Sequence, residues 1–436
     1  MTQRLPRAAV IEAGKQFFGS ARFGAALTLT IVGTAVSSLF ITELIGWGGL
    51  LGALGIQVLL AAVSLLAKRE QIEWHGLLPI SLLMFVGWAA ASVIWSEYQW
   101  VTLGSIIYFG AMTMLGIYVA LVRDTIQIAR AFGDVLRVVL ALSLALEILS
   151  GLLIDMPLKF LNIAGNLAQL GPIQGIFGTR NLLGIVVLVA IVTFGTEWRT
   201  KSVPRPVSIS SLVIAGICLV LARSPIATGA LVIVGLAAVA LYGLRRVPHA
   251  HRRFWQSGLL AFTIVVAVLA WVYRTPIINA LSASAELNTR LRLWRLVRPL
   301  IDENSLQGWG WTGHWRKDVG PFDQLTSLAQ PVQASALNAY LDVWFQLGLI
   351  GLLLFLLMLG LAFVRSWLLA SRQRSIVYAW PALVLVVLIT TALAESAVLV
   401  EFGWLTFVVC CVKAARELSW RKAFAATEPT NPADQS

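Results

Sequence analysis

The chain has 436 residues, of which 58% are Ala, Val, Ile, Leu, Met, Phe, Trp, Tyr or Cys and only 12% are charged, about half the charged share of a soluble globular protein. Mean hydropathy is +0.82, and 33 Lys and Arg face 21 Asp and Glu. These values exclude a soluble enzyme with one buried core, a disordered scaffold and an ordinary nucleic-acid binder, since the basic residues are dispersed between long apolar runs; they describe an all-α polytopic membrane protein.

A membrane span needs about 20 apolar residues, because a helix rises about 1.5 Å per residue across roughly 30 Å of hydrocarbon. In chain order, that rule predicts spans at 23–42, 46–67, 76–95, 101–122, 132–154, 181–196, 207–222, 226–244, 257–273, 338–364, 377–394 and 402–412. Two divisions rest on length. The run 207–244 is too long for one crossing, and Arg223-Ser224-Pro225 is its only polar break, so a tight hairpin with an arginine at its tip is expected. The run 377–412 is divided at Glu395, Ser396 and Glu401.

Charge distribution tests this count. With the N-terminus inside, 22 of the 33 Lys and Arg lie on inner segments and 10 on outer ones, and Arg137 lies within a span. Every short loop then obeys the positive-inside rule with both termini cytoplasmic. The first apolar run is full-length without an A-x-A-like end, and reads as an uncleaved span. The expected organisation is a cytoplasmic segment 1–22, spans one to nine over 23–273, an extracytoplasmic loop 274–337, spans ten to twelve over 338–415, and a cytoplasmic tail 416–436 with a disordered end. No internal repeat is evident. Cys218, Cys410 and Cys411 sit in apolar runs without disulfide or metal-ligand spacing and read as packing residues.

The outer loop is long enough to be a functional element. Its first half, 284–304, places Leu287, Leu291, Trp294 and Val297 at helical spacing flanked by Arg292 and Arg295, the pattern of a helix lying on the outer bilayer surface. Gly308-Trp309-Gly310-Trp311-Thr312-Gly313-His314-Trp315 follows, tight and aromatic. The next span begins Asn338-Ala339-Tyr340-Leu341-Asp342 and is long enough to lift Asn338 and Asp342 to the outer surface.

Arg290-Leu-Arg-Leu-Trp294, Gly308-x-Gly310-x-x-Gly313, and Asn338-Ala-Tyr340-Leu with Gly348-Leu-Ile-Gly351 together resemble the C-terminal signature of the O-antigen ligase and polymerase family. Phe177-Gly-Thr-Arg-Asn181 before a span and Arg223-Ser224 at a span end resemble that family's earlier landmarks. The resemblance runs from about Phe177 to Met358, less than half of the chain.

It implies a GT-C-like glycosyltransferase of the plasma membrane. Such an enzyme takes a glycan from an undecaprenyl-pyrophosphate carrier on the outer face and gives it to an acceptor, either a lipid or a growing polysaccharide. Its partners would be that carrier-linked glycan, the acceptor and membrane lipids, with no nucleic acid. It would need no cofactor and no metal, because the leaving group is already a lipid pyrophosphate. The chemistry calls for cations on the pyrophosphate and a base for the acceptor hydroxyl, and arginine suits the first task because it grips phosphate oxygens bidentately.

Candidate pyrophosphate ligands are Arg223, Arg290 and Arg180; candidate glycan or acceptor contacts are Trp309, Trp311, Asn338 and Tyr340. The bland alternatives are a snorkelling interface arginine for Arg223 and membrane anchoring for the tryptophans. Ligases of this family generally carry a histidine just before the asparagine, where this chain has Leu337. His314 is the only histidine expected outside, so the base is His314 or an acidic residue such as Asp342 or Glu395, unless the chemistry is polymerase-like or absent. A flippase or transporter of lipid-linked sugars, and a degenerate carrier-binding scaffold, are the competing classes. Transporters tend to place polar sites at mid-membrane between repeated halves, whereas the unusual residues here gather on one face.

Overall fold

The computed structural model describes residues 7–70, 79–248, 251–280, 284–328 and 333–417, and is all-helical within them. In chain order the helices are α1 (Arg7–Phe18), α2 (Ala21–Val36), α3 (Ser38–Ala67), α4 (Ile80–Ala91), α5 (Gln99–Val122), α6 (Thr125–Ile148), α7 (Arg180–Thr200), α8 (Arg205–Ala222), α9 (Pro225–Arg246), α10 (Arg252–Val272), α11 (Arg274–Ala280), α12 (Ser284–Glu303), α13 (Phe322–Leu328), α14 (Ala339–Arg372), α15 (Ala379–Thr391) and α16 (Glu401–Glu417). The start of the predicted third span, His75, His249 and residues 418–436 of the predicted cytoplasmic tail lie outside the described residues.

A helix occupies each of the twelve predicted apolar runs, but length divides them. Seven helices among the described residues are long and apolar enough to cross a membrane: α3, α5, α6 with its π-helical extension to Leu153, α7, α8, α9 and α14; α1 and α2, bent by 50°, make an eighth if they form one span. Ile80–Ile94 and Ile376–Thr391 are apolar but shorter. The first predicted boundary also moves. Ser37 closes α2 and opens α3, and residues 43–45, expected to separate two spans, lie inside α3, which kinks at Gly46, whose φ of +73° a side-chain-bearing residue rarely adopts.

Burial follows from lipid acting as the outer solvent. The short helices α15 and α16 sit at the centre, with Trp380, Leu385, Trp404, Phe407 and Cys410 sealed from the exterior. α7 packs beside them, carrying Leu183, Val187 and Ala190 into the same core. Peripheral helices turn apolar residues outward, such as Ile107 on α5, Val220 on α8 and Val239 on α9. The three cysteines are free and buried.

One end of this bundle is elaborated. α8 ends at Ala222, Arg223 takes a left-handed conformation, and Ser224 caps α9 through Ala227 N at 3.2 Å, with Pro225 as the first helical residue; proline suits that position because its missing N–H is unneeded there. The chain between α15 and α16, residues 392–400, returns at the same end and meets the start of α14, where Asn338 Nδ2 donates to the Leu393 carbonyl at 3.1 Å. α14 breaks at Gly348 (φ +68°), and the break receives residues 305–310: Leu349 N donates to Ser305 O at 2.8 Å and Gly310 N to Gln346 O at 2.8 Å. A Cβ on Gly308 would meet the Gln346 carbonyl, and one on Gly348 would meet that of Leu306, so both positions must be glycine for the two backbones to touch.

α12 forms over the predicted residues, but its buried face is Arg290, Leu293, Val297 and Ile301, while Leu291 is exposed. The predicted face is therefore rotated. Protein, not bilayer, receives this stripe: Leu293, Val297 and Ile301 pack with Trp315, Phe322, Ala336 and Phe345.

Candidate active site at one end of the bundle

The site grows from the N-terminus of α7. Glu147, buried on α6, accepts from Gln174 N and Gly175 N, each at 2.9 Å, and so fixes the turn that leads into α7. Thr179 then caps the helix through Leu182 N, placing Arg180 and Asn181 in its first turn. Arg180 ion-pairs with Glu286 of α12. Glu286 also pairs with Arg290 at 3.2 Å, one turn along the same helix.

Arg290 is buried and spends its guanidinium on three acceptors: Glu286, Glu395 Oε1 at 3.1 Å and the Ala394 carbonyl at 3.1 Å. Asn181 Nδ2 donates to the same Glu395 oxygen at 2.9 Å, and Ser224 Oγ donates to Asn181 Oδ1 at 2.8 Å. One polar chain therefore joins α7, the α8–α9 hairpin, α12 and the α15–α16 connection. Burial pushes the Glu395 carboxyl above its ordinary value despite the opposing pull of Arg290 and Asn181. Burial also acts to raise Glu286, but contacts with Arg180 and Arg290 outweigh it and hold that carboxyl low.

Within this chain two arginines are matched by two glutamates. Beside it stands Arg223, exposed at the hairpin tip with φ +45° and with no ion pair among the described residues. Of the three arginines expected to hold pyrophosphate, Arg290 is the most fully committed to protein acceptors, whereas Arg180 is partly exposed and Arg223 is unmatched.

A second group is organised by the glycine-rich loop. Gln346 of α14 accepts from Thr312 N and Gly313 N at 2.8 and 3.0 Å and donates to the Gly313 carbonyl at 3.1 Å. That clamp presents His314, whose Nε2 lies 3.1 and 3.3 Å from the two carboxylate oxygens of Glu401 at the start of α16. Tyr108 donates to Glu401 Oε1 at 3.2 Å. Burial pulls the His314 imidazole down, but Glu401 and then Asp342 outweigh it, and the group rests above the ordinary histidine value.

Asp342, which the length of its span is expected to lift above the bilayer, is fully buried within the protein. It accepts from Trp315 Nε1 at 2.8 Å, from Ala336 N at 3.0 Å and from Ser396 Oγ, tying the loop to α14 and to the α15–α16 connection. The other predicted contacts are also engaged by protein. The Trp311 ring is buried against Phe109 and Phe85, with centroids 4.9 and 6.3 Å away, and Trp309 Nε1 donates to Leu300 O at 2.8 Å. Asn338 caps α14 through Tyr340 N and Leu341 N, and the Tyr340 hydroxyl donates to Ile389 O at 3.1 Å. Leu337, where the resembling family has histidine, is held at φ +51°.

Several members escaped sequence reasoning. Glu286 lies four residues before Arg290, a spacing that predicts a helical ion pair. Glu401 and His314 are 87 residues apart, and nothing local in the sequence joins them.

Residues 210–356 match the family model described as O-antigen ligase, about a third of the chain. The matched segment contains Arg223, Ser224, Glu286, Arg290, the glycine-rich loop, Asp342 and Gly348, and leaves Arg180, Glu395 and Glu401 outside it. No curated protein matches the chain.

Proposed function

We propose that this membrane protein, with its O-antigen ligase segment over residues 210–356, transfers a glycan from an undecaprenyl-pyrophosphate carrier to a lipid or saccharide acceptor. The reaction takes place on the outer face of the plasma membrane, with twelve crossings, both termini inside and the loop 274–337 outside. The observation that carries this reading is Arg223, which has no ion pair among the described residues. It stands on Ser224, at the end of a polar chain that already balances Arg180 and Arg290 with Glu286 and Glu395. A pyrophosphate leaving group needs such a cation, because negative charge grows on its bridging oxygen as the bond to the sugar breaks.

In this reading Arg223 and Arg180 grip the pyrophosphate, and Arg290 fixes Glu286 and Glu395 behind them. Trp309, Asn338 and Tyr340 shape the wall on which glycan and acceptor lie. His314 accepts the proton of the acceptor hydroxyl, the acceptor oxygen bonds the anomeric carbon, and the carrier departs with the electron pair of the broken bond. The buried Asp342 supports the loop that bears His314.

The reading is tested with the purified protein in nanodiscs, supplied with an undecaprenyl-pyrophosphate oligosaccharide and lipid or saccharide acceptors. Glycan transfer coupled to release of carrier pyrophosphate is expected, and Arg223→Ala should abolish it while the protein still inserts. Full activity in both Arg223→Ala and Arg180→Ala removes the pyrophosphate role. Transfer to a saccharide alone identifies a polymerase, and to a lipid alone a ligase.

A further inference from the structure

From the geometry at the start of α16 we infer that Glu401 is a positioning residue for His314, and that the two form the acceptor-activating pair of this protein. The inference rests on the glycan-transfer reading and deepens it by naming the group that orients the base and the ring nitrogen that does the work.

Three features support it. First, the carboxylate is placed at conformational cost: Glu401 holds φ +35°, in the left-handed region that non-glycine residues seldom occupy. The turn before it is tight, since a Cβ on Gly403 would meet the Ala397 carbonyl. Strain of this kind persists only where the surroundings over-determine it, and it gathers at functional sites.

Second, both partners are fixed from behind. Tyr108 on α5 donates to Glu401 Oε1 at 3.2 Å, and Trp47 on α3 packs edge-on to the Tyr108 ring with centroids 6.2 Å apart. On the histidine side, Gly313 N is held by Gln346, and Trp315 N donates to Ala334 O at 2.8 Å. The Glu401 side chain is 13% exposed and that of His314 is 40% exposed, so the carboxylate is sheltered while the imidazole opens outward.

Third, the contacts are made by Nε2. With Glu401 ionised, the neutral imidazole carries its proton on Nε2 and points the Nδ1 lone pair elsewhere; Nδ1 has no hydrogen-bond partner among the described residues. A carboxylate that fixes the tautomer and then stabilises the imidazolium is the general device for activating a hydroxyl through histidine. Here Nδ1 takes the proton of the acceptor hydroxyl, the acceptor oxygen bonds the anomeric carbon, and the sugar–phosphate bond breaks with its electron pair leaving on the carrier pyrophosphate. The proton stays on His314, paired with Glu401, until it passes to solvent. The charged or titratable groups facing the imidazole are Glu401, Asp342 and Arg316, with Tyr108 behind Glu401. Leu337 leaves the family position without a base, and this pair supplies one from the neighbouring loop.

The test compares Glu401→Gln and Glu401→Asp with the wild type, full-length in nanodiscs, by two measurements. The first is the pH profile of glycan transfer. Glu401→Gln should lower turnover about tenfold, a part of the 10²–10⁴-fold that a general base contributes. It should also move the acid limb to lower pH with KM for the carrier-linked donor unchanged, and Glu401→Asp should restore part of the rate. The second is the pH dependence of carbethoxylation of His314 by diethyl pyrocarbonate, with His75, His249 and His251 replaced by Gln. Glu401→Gln should lower the midpoint. Loss of rate with an unmoved profile and an unmoved midpoint makes Glu401 merely structural and overturns the inference, leaving glycan transfer standing. A wild type that shows the linked midpoint but transfers nothing overturns the glycan-transfer reading and, with it, the catalytic use of the pair.

Discussion

Arg290 donates to Glu395 at 3.1 Å across 105 residues of sequence, joining helix α12 to the α15–α16 connection. Both side chains are largely buried, and Glu286 lies against the same guanidinium. Removing the arginine leaves two sheltered carboxylates without their shared partner. Breaking a buried pair in this way costs about 3–5 kcal/mol. Arg290→Ala is accordingly expected to lower the thermal midpoint in detergent, and Arg290→Ala combined with Glu395→Ala should lie closer to the wild type than the single change. Additive losses would show that the pair is not coupled.

The junction at Gly348 gives a second expectation. Its positive φ and its contact with the Leu306 carbonyl both forbid a side chain. Gly348→Ala should destabilise by about 2 kcal/mol or more, from the left-handed conformation and the displaced backbone together. The damage should be local first. Hydrogen exchange ought to rise at Trp309, Gly310 and Leu349, whose amides bond across the junction, before it rises in α15 or α16; uniform exchange throughout the chain would refute the local latch.

These two relationships mark how far the sequence could be read. Hydropathy located the helical runs because lipid rewards apolar length, and Arg223-Ser224-Pro225 announced its hairpin because a left-handed residue, a cap and an N1 proline leave a local imprint. Helix α12 was legible as a helix, but its face was read as if the bilayer were its only apolar partner. In the structure Trp315, Phe322 and Phe345 receive it. Arg180, Arg290 and Glu395 were selected singly for their chemistry, and Glu286 and Asn181, which join them, have no distinctive spacing to each other. The sequence offers Glu401 only as a turn residue, since a contact over 87 positions has no periodic signature.

The His314–Glu401 pair makes stability depend on pH in a stated direction. The histidine is held above its ordinary value of about 6.5, so the folded state binds the proton more tightly than the unfolded chain does. The stabilisation is complete below pH of about 6.5 and is lost as pH rises through the elevated value. In the proposed mechanism transfer needs the neutral imidazole, so the rate should rise over the same interval. Unfolding midpoints and rates measured between about pH 6 and 9 are expected to move in opposite directions, and His314→Gln should flatten the stability trend; an unchanged trend would assign it to another group.

Arg223 combines an unfavourable backbone with an exposed charge that has no ion pair among the described residues. Its φ of +45° suits glycine, and a non-glycine residue there carries a cost of about 1 kcal/mol. Nothing in the packing requires arginine, because the hairpin is already defined by the Ser224 cap, Pro225 and the bond from Ser224 to Asn181. If the charge is kept for the pyrophosphate, stability and activity should separate at this position. Arg223→Gly is expected to hold or raise the unfolding midpoint, by no more than about 1 kcal/mol since glycine also loosens the unfolded chain, while glycan transfer collapses. Arg223→Lys should keep part of the rate, because an ammonium supplies the charge without the bidentate fork. A glycine variant that is both less stable and fully active would reverse the assignment and make Arg223 a structural residue of the hairpin.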